Sequence, residues 1–142
     1  MAGLSSRWRS RFSRSAPDHL ALGIRGEKLA CRFLRRNGYK VLQRNFRGRS
    51  GGEIDIVCRD KDTLVFVEVK TRTREDFGRP FDAVGRDKQK RISKGGLAWL
   101  RLLDDPDVLF RFDVVEVVIC AGDAPRFELL QNAFPLVEPY IY

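Results

Sequence analysis

Charged residues set inside a β-branched hairpin restrict this chain more than any other feature. Residues 53–58 (Glu-Ile-Asp-Ile-Val-Cys) and 63–70 (Thr-Leu-Val-Phe-Val-Glu-Val-Lys) are short apolar runs separated by Arg59-Asp60-Lys61-Asp62. Each run reads as a strand and the polar tetrapeptide as the loop between them. Asp55, Glu68 and Lys70 stand where a covered strand would carry Val or Ile. Burying unpaired charge is costly, so such residues are paired, metal-bound or functional. Side chains alternate along a strand, which puts Glu68 and Lys70 on one face with Leu64 and Phe66. If Cys58 pairs with Thr63, Asp55 lies opposite Phe66 and diagonal to Glu68. That is roughly 7–8 Å, close enough to share one hard cation. A one-residue slip would send Asp55 to the other side of the sheet, so an even register or a bulge is required.

The chain has 142 residues, enough for one domain with a real core. No apolar stretch approaches the length of a membrane span, so no membrane partner is expected. Cys31, Cys58 and Cys120 are odd in number and far apart, which suits a reducing cytoplasm and no zinc site. His19 is the only histidine, which weighs against His-dependent triads, and no phosphate-binding loop of the GxxxxGK[ST] type occurs. The net charge of +8 favours a polyanionic partner, most simply nucleic acid. Half of that excess is Arg7, Arg9, Arg11 and Arg14 in an acid-free start, and half belongs to the remainder of the chain.

Residues 1–17 read as a disordered basic arm without the apolar run of a secretory signal, and 18–142 as a single domain. The pattern predicts a helix over 18–37, with Asp18 as N-cap and Gly38 as its stop. Leu20, Ile24, Cys31 and Leu34 share a stripe, and Glu27 falls on it. A carboxylate there is either a helix-edge group paired with an arginine or a residue aimed at the hairpin's acidic face. Gly23, Gly26 and Ala30 beside it are small enough for close helix–sheet approach. Residues 39–46 form a strand candidate, followed by a basic glycine loop from Arg47 through Arg49 to Gly52. That loop is either a plain turn or a phosphate cradle built from backbone N–H groups. Residues 73–86 read as loop and 87–103 as a second helix, with Ile92, Gly96, Trp99 and Leu103 on one stripe and Gln89 one turn earlier. Lys88, Lys90, Arg91 and Lys94 are either a solvated face or phosphate contacts. Gly95-Gly96 implies close packing or a kink. Residues 111–120 are a further strand, with Asp113 and Glu116 its polar points, 127–130 a short edge strand, and 135–142 an irregular apolar tail. The resulting class is α/β or α+β, a mixed sheet with helices against it and 64–69 as the covered central strand.

Asp55 followed by Glu68-Val69-Lys70 gives the pattern D-x(n)-E-x-K. Two carboxylates on neighbouring strands suit Mg²⁺ or Mn²⁺, and the Val69 carbonyl is a further candidate ligand. Nearby carboxylates keep an ammonium charged, so Lys70 suits transition-state charge stabilisation better than general-base work. This pattern resembles the PD-(D/E)XK nuclease superfamily, which includes restriction endonucleases and Holliday-junction resolvases. Further motifs narrow it: Gly26-Glu27-x-x-Ala30, Asn45-x-Arg47, Gly52-Glu53-Ile54-Asp55 and Phe66-Val67-Glu68-Val69-Lys70-x-Arg72. Lys88-Gln89-Lys90-Arg91-Ile92, Arg111-Phe112-Asp113-Val114 and Asn132-Ala133-Phe134 follow in order. Together they resemble the YraN-type family of predicted endonucleases, from about Gly23 to Phe134.

The resemblance implies a restriction-endonuclease-like mixed sheet flanked by helices. It also implies an active site of Glu27, Asp55, Glu68 and Lys70, assisted by Gln89 from the following helix. Ile54 stands where the superfamily name has proline. The function expected is a metal-dependent endonuclease acting on DNA, branched or otherwise structured DNA included. Asp55, Glu68, Val69 and Glu27 would hold the metal, and Arg47, Arg49, Arg72, Lys88, Lys90, Arg91 and Lys94 would meet phosphates. Symmetric cutting of two strands favours a homodimer. The alternative is a nucleic-acid-binding accessory protein of recombination or repair with little or no catalysis.

Overall fold

A computed structural model describes residues 16–73, 84–104 and 107–138. The elements run α1 (Ala16–Arg36), β1 (Lys40–Arg47), β2 (Glu53–Asp60), β3 (Thr63–Arg72), α2 (Arg86–Leu100), β4 (Leu109–Val118) and β5 (Arg126–Phe134). The five strands form one sheet in the order β1-β2-β3-β4-β5. Only β3 and β4 are parallel, and the crossover between them carries α2. This is a mixed sheet with two helices, the α+β, restriction-endonuclease-like class. Among the described residues no helix is long and apolar enough to cross a membrane.

β3 is the central strand, and its sequence shows why. Val65 and Val67 join a core cluster with Ala30, Cys31 and Leu34 of α1. Leu64 and Phe66 join a second cluster with Ile92 of α2 and Phe112 of β4. A strand apolar on both faces is stable only when both faces are covered. Glu68 interrupts this strand yet is 7 % exposed.

Helix α1 differs from the sequence expectation at its start. It begins at Ala16, so Asp18 lies in the first turn rather than at the cap, and the rest of the expected basic arm lies outside the described residues. Leu20 and Ile24 are 67 % and 47 % exposed, although they continue the stripe of Cys31 and Leu34. The physical reason is position. Gly26 packs on Thr71, near the end of β3, so the earlier turns extend beyond the sheet. Gly23 accordingly faces open space and serves no close approach. The helix stops as expected at Gly38, whose φ of 86° permits the Tyr39 N–H to reach the Leu34 carbonyl at 3.0 Å.

The loop between β2 and β3 is two residues shorter than the pattern suggested. Asp60 pairs with Thr63, leaving only Lys61 and Asp62 between the strands, with Lys61 at a φ of 53°. Strand β5 is longer than expected because a bridge carries it across an irregularity. The Asn132 N–H donates to Asp113 Oδ1 at 2.9 Å where the β4–β5 register shifts, and Phe134 then stacks on Phe112. Asp113 also takes hydrogen bonds from Arg111 Nε (3.0 Å) and Tyr39 OH (3.3 Å), while Arg111 reaches Asp60 at 2.9 Å. Asp113 is therefore a satisfied structural charge, 1 % exposed, on the α1 side of the sheet.

Glycines set how close α2 comes. A Cβ at Gly95 would lie 2.8 Å from the Glu53 backbone nitrogen, and one at Gly96 3.1 Å from the rings of Phe112 and Phe66. The glycine pair is thus a packing device, and it draws the first turns of α2 over the start of β2. Glycine to alanine inside a helix normally stabilises by about 1 kcal/mol. Here the sign is expected to reverse. Gly95→Ala should lose about 1–3 kcal/mol by urea denaturation, because the contact is with backbone that cannot yield cheaply.

Candidate active site

The shortened loop moves Asp55 by two residues relative to β3. Ladder pairing runs from Asp60↔Thr63 to Ile56↔Val67, so its continuation places Asp55 across from Glu68 rather than diagonal to it. The register remains even, and the two carboxylates meet. Beyond Ile56↔Val67 the pairing stops, and Asp55 Oδ2 accepts the Val69 N–H at 2.9 Å. A side chain thus substitutes for a backbone acceptor at the point where the two strands part. The Val69 contact is made through its N–H; its carbonyl was the group expected at the site.

Strict alternation breaks at the same place. Ile54 packs in the α2-side cluster and Ile56 in the α1-side cluster, yet Val57 returns to the α2 side. Opposite this break, Asn45 of β1 has a φ of 52°, a conformation that asparagine tolerates better than most residues. The Asn45 side chain lies near enough to Glu27 of α1 to favour its charged form. Glu27 therefore has a polar partner on β1, and it also feels the Asp55 charge. Burial first and Asp55 second raise its pKa above the usual carboxylate range.

Glu68 is the most perturbed acid of the site. Burial, then the Asp55 charge, pushes its pKa up to about 8, although Lys88 pulls the other way. The Asp55 carboxyl is thus the neighbour that most opposes ionisation of Glu68. Two acids this close share a proton or need a cation. Lys88 of α2 supplies one cation, with Nζ 2.9 Å from Glu53 Oε1 and 3.5 Å from Glu68 Oε1. Glu53 is held below the usual carboxylate range, first by its hydrogen bond from Lys88 and also by Arg47 and Arg91.

The expected residues thus divide. Asp55, Glu68 and, electrostatically, Glu27 converge. Lys70 is half-buried two residues beyond Glu68, with Glu116 of β4 as its register partner. Arg72 lies 3.3 Å from Glu116 and is mostly buried, a placement that suits an ion pair within the sheet better than an exposed phosphate contact. Gln89 donates to the Val84 carbonyl at 2.6 Å and lines a pocket with Arg86 and residues 135–138. Lys88, rather than Gln89, is the α2 residue on the carboxylates. Arg47 and Arg91 line a pocket beside Glu53, and Lys94 lies close to Gly51. Arg49 and Lys90 are exposed.

Sequence reasoning passed over Glu53 and Asn45 as site residues. Glu53 stands two positions before Asp55, so the period of a strand already hinted at it. An asparagine within a strand hinted at the break.

These residues fit a divalent cation of the Mg²⁺ type. Among the described residues no group of three or more His, Cys, Asp or Glu is arranged to hold a metal alone. Mg²⁺ needs no such cage; it binds through one or two carboxylates and completes its shell with water and substrate oxygens. A buried acid, Glu68, beside the half-buried Asp55 is the donor set that such an ion relieves.

One consequence is a pH signature of stability. The folded state keeps the Glu68 proton between about pH 4.5 and 8, where the unfolded chain has lost it. Stability should therefore fall as pH rises through that window and level off above it. Glu68→Gln should remove this slope, matching wild type near pH 4 and exceeding it at pH 8.5 by on the order of a few kcal/mol. Urea midpoints across pH, in EDTA, measure this.

The uncharacterised protein family UPF0102 matches residues 26–117. A UPF0102 protein of Geobacter sulfurreducens is 54 % identical over 115 residues, covering 81 % of this chain and 89 % of the relative. One from Geobacter metallireducens is 51 % identical over 116 residues (82 % and 93 %). One from Nocardia farcinica is 45 % identical over 117 residues (82 % and 91 %).

Proposed function

The chain belongs to the uncharacterised protein family UPF0102, and from that premise we propose that it is a metal-dependent endonuclease hydrolysing DNA phosphodiester bonds. The observation that carries the reading is the meeting of Asp55 and Glu68 where β2 and β3 separate, with basic side chains of α2 and β1 alongside. The resemblance to PD-(D/E)XK nucleases supports the same chemistry. Branched or structured DNA is the substrate class that the likeness to resolvases favours.

Each residue has a defined task in this proposal. Asp55 and Glu68 hold Mg²⁺ or Mn²⁺, with Glu27 adding negative charge from α1. An ion held by these carboxylates would supply Lewis-acid polarisation of a phosphoryl oxygen and a water of lowered pKa. Lys70 stabilises the charge that builds on the phosphorus oxygens. Lys88 fixes the Glu53 and Glu68 carboxylates and balances them until substrate and metal arrive. Positive side chains around the acids draw in the anionic backbone, and they attract it most strongly at low salt.

The test is cleavage of plasmid and branched DNA with Mg²⁺, Mn²⁺ or EDTA. Metal-dependent cutting is expected in wild type, with a loss of about 10²-fold or more in Asp55→Ala and Lys70→Ala. DNA binding without cleavage by wild type would instead mark an accessory protein that binds and does not cut. A wild-type protein that binds no DNA at low salt would sink both readings.

A further inference from the structure

The loop that joins β1 to β2 folds back on α2 and leaves an open pocket of about 320 Å³, lined by Arg47, Gly48, Gly51, Gly52, Glu53 and Arg91. Its shape comes from glycine. Gly51 and Gly52 have φ of 103° and 83°, and a Cβ at Gly52 would run into the Gly95 backbone of α2. Two of the loop amides are already used within the loop itself. The Gly48 N–H bonds the Gly52 carbonyl and the Gly51 N–H bonds the Gly48 carbonyl, both at 3.1 Å. The charge in this pocket comes from its side chains.

Those side chains are cationic in excess. Arg47 comes from the end of β1 and Arg91 from α2, and Lys94 Nζ would stand 3.1 Å from a Cβ at Gly51. The one acid, Glu53, is already bonded by Lys88 at 2.9 Å. Among the described residues, no ion pair or side-chain hydrogen bond links Arg47 or Arg91 to an acid. Two guanidinium groups on one concave surface favour an oxyanion with several acceptors. Glu53 lies two residues from Asp55 on the same strand, roughly 7 Å away. That is on the order of one sugar–phosphate step.

We propose that the Arg47–Arg91 pocket is a phosphate subsite that holds a backbone phosphate of the nucleic-acid strand one step from the bond at Asp55 and Glu68. The inference rests on the nuclease reading for its substrate, but it concerns binding and needs no metal. The subsite positions the strand, so its removal weakens affinity while leaving Asp55 and Glu68 in place.

The experiment is DNA binding by the full chain in EDTA across a series of salt concentrations. Removing one cation that neutralises a phosphate should make the slope of log K against log salt shallower by about 0.9. Arg47→Gln with Arg91→Gln should therefore flatten it by about 1.8. Arg47→Lys with Arg91→Lys should keep the slope near wild type, which also shows that the loop still folds. Lys61→Gln, at the opposite end of β2, should leave the slope unchanged. A glutamine pair with the wild-type slope would overturn the subsite, as would an equal flattening in Lys61→Gln, since that indicates a diffuse surface charge. In either case the nuclease reading survives if wild type still cleaves. Absence of wild-type binding at every salt concentration overturns both.

Discussion

Repulsion between two acids on neighbouring interior strands governs the rest of this molecule. Asp55 and Glu68 meet across strands with little water around Glu68, and each neighbouring feature moderates that cost. The Val69 N–H donates to Asp55, and Lys88 reaches Glu68 from α2. A bond from a neutral donor to a charged acceptor contributes about 1.5–3 kcal/mol, enough to offset part of the burial but not the like-charge pair. The site is thus held short of full compensation.

Bringing the partners there depends on how near the helices approach. Gly26 lets α1 press on Thr71 and so sets Glu27 within the field of Asp55. Gly52 and Gly95 bring α2 against the start of β2, so that Lys88 and Arg91 overhang Glu53. The glycines that look like weak points in a helix or loop are the places of closest approach: to backbone at Gly52 and Gly95, to the Thr71 side chain at Gly26. A second charged cluster, Tyr39 with Arg111, Asp113 and Asp60, lies on the α1 side and is satisfied by its own members together with Gln131 and the Asn132 N–H of β5. The contrast separates charge that ties strands together from charge left partly unbalanced.

The alternation of residues 63–70 and the helical spacing around Ile92 and Trp99 already disclosed the elements, the covered central strand and the mixed sheet. They also singled out Asp55, Glu68 and Glu27, because polar residues break those periods. Other features left no such trace. Leu20 and Ile24 obey the helical period perfectly well, yet periodicity does not record where the underlying sheet ends. Gln89 and Lys88 are adjacent in sequence, and a rotation of α2 by one residue exchanges which of them faces the carboxylates.

By itself, then, the sequence determined which residues alternate, which groups are charged and which positions lack a side chain. These are local properties, fixed by covalent structure and by the two-residue and 3.6-residue periods. Only the tertiary structure decided that the hairpin loop has two residues, that Asp55 faces Glu68 directly, and that Lys88 rather than Gln89 lies on the acids. Those outcomes depend on distances between segments far apart in the chain. Such distances are set by how closely backbone can approach backbone at Gly52 and Gly95 and the Thr71 side chain at Gly26, a packing quantity that no single segment encodes.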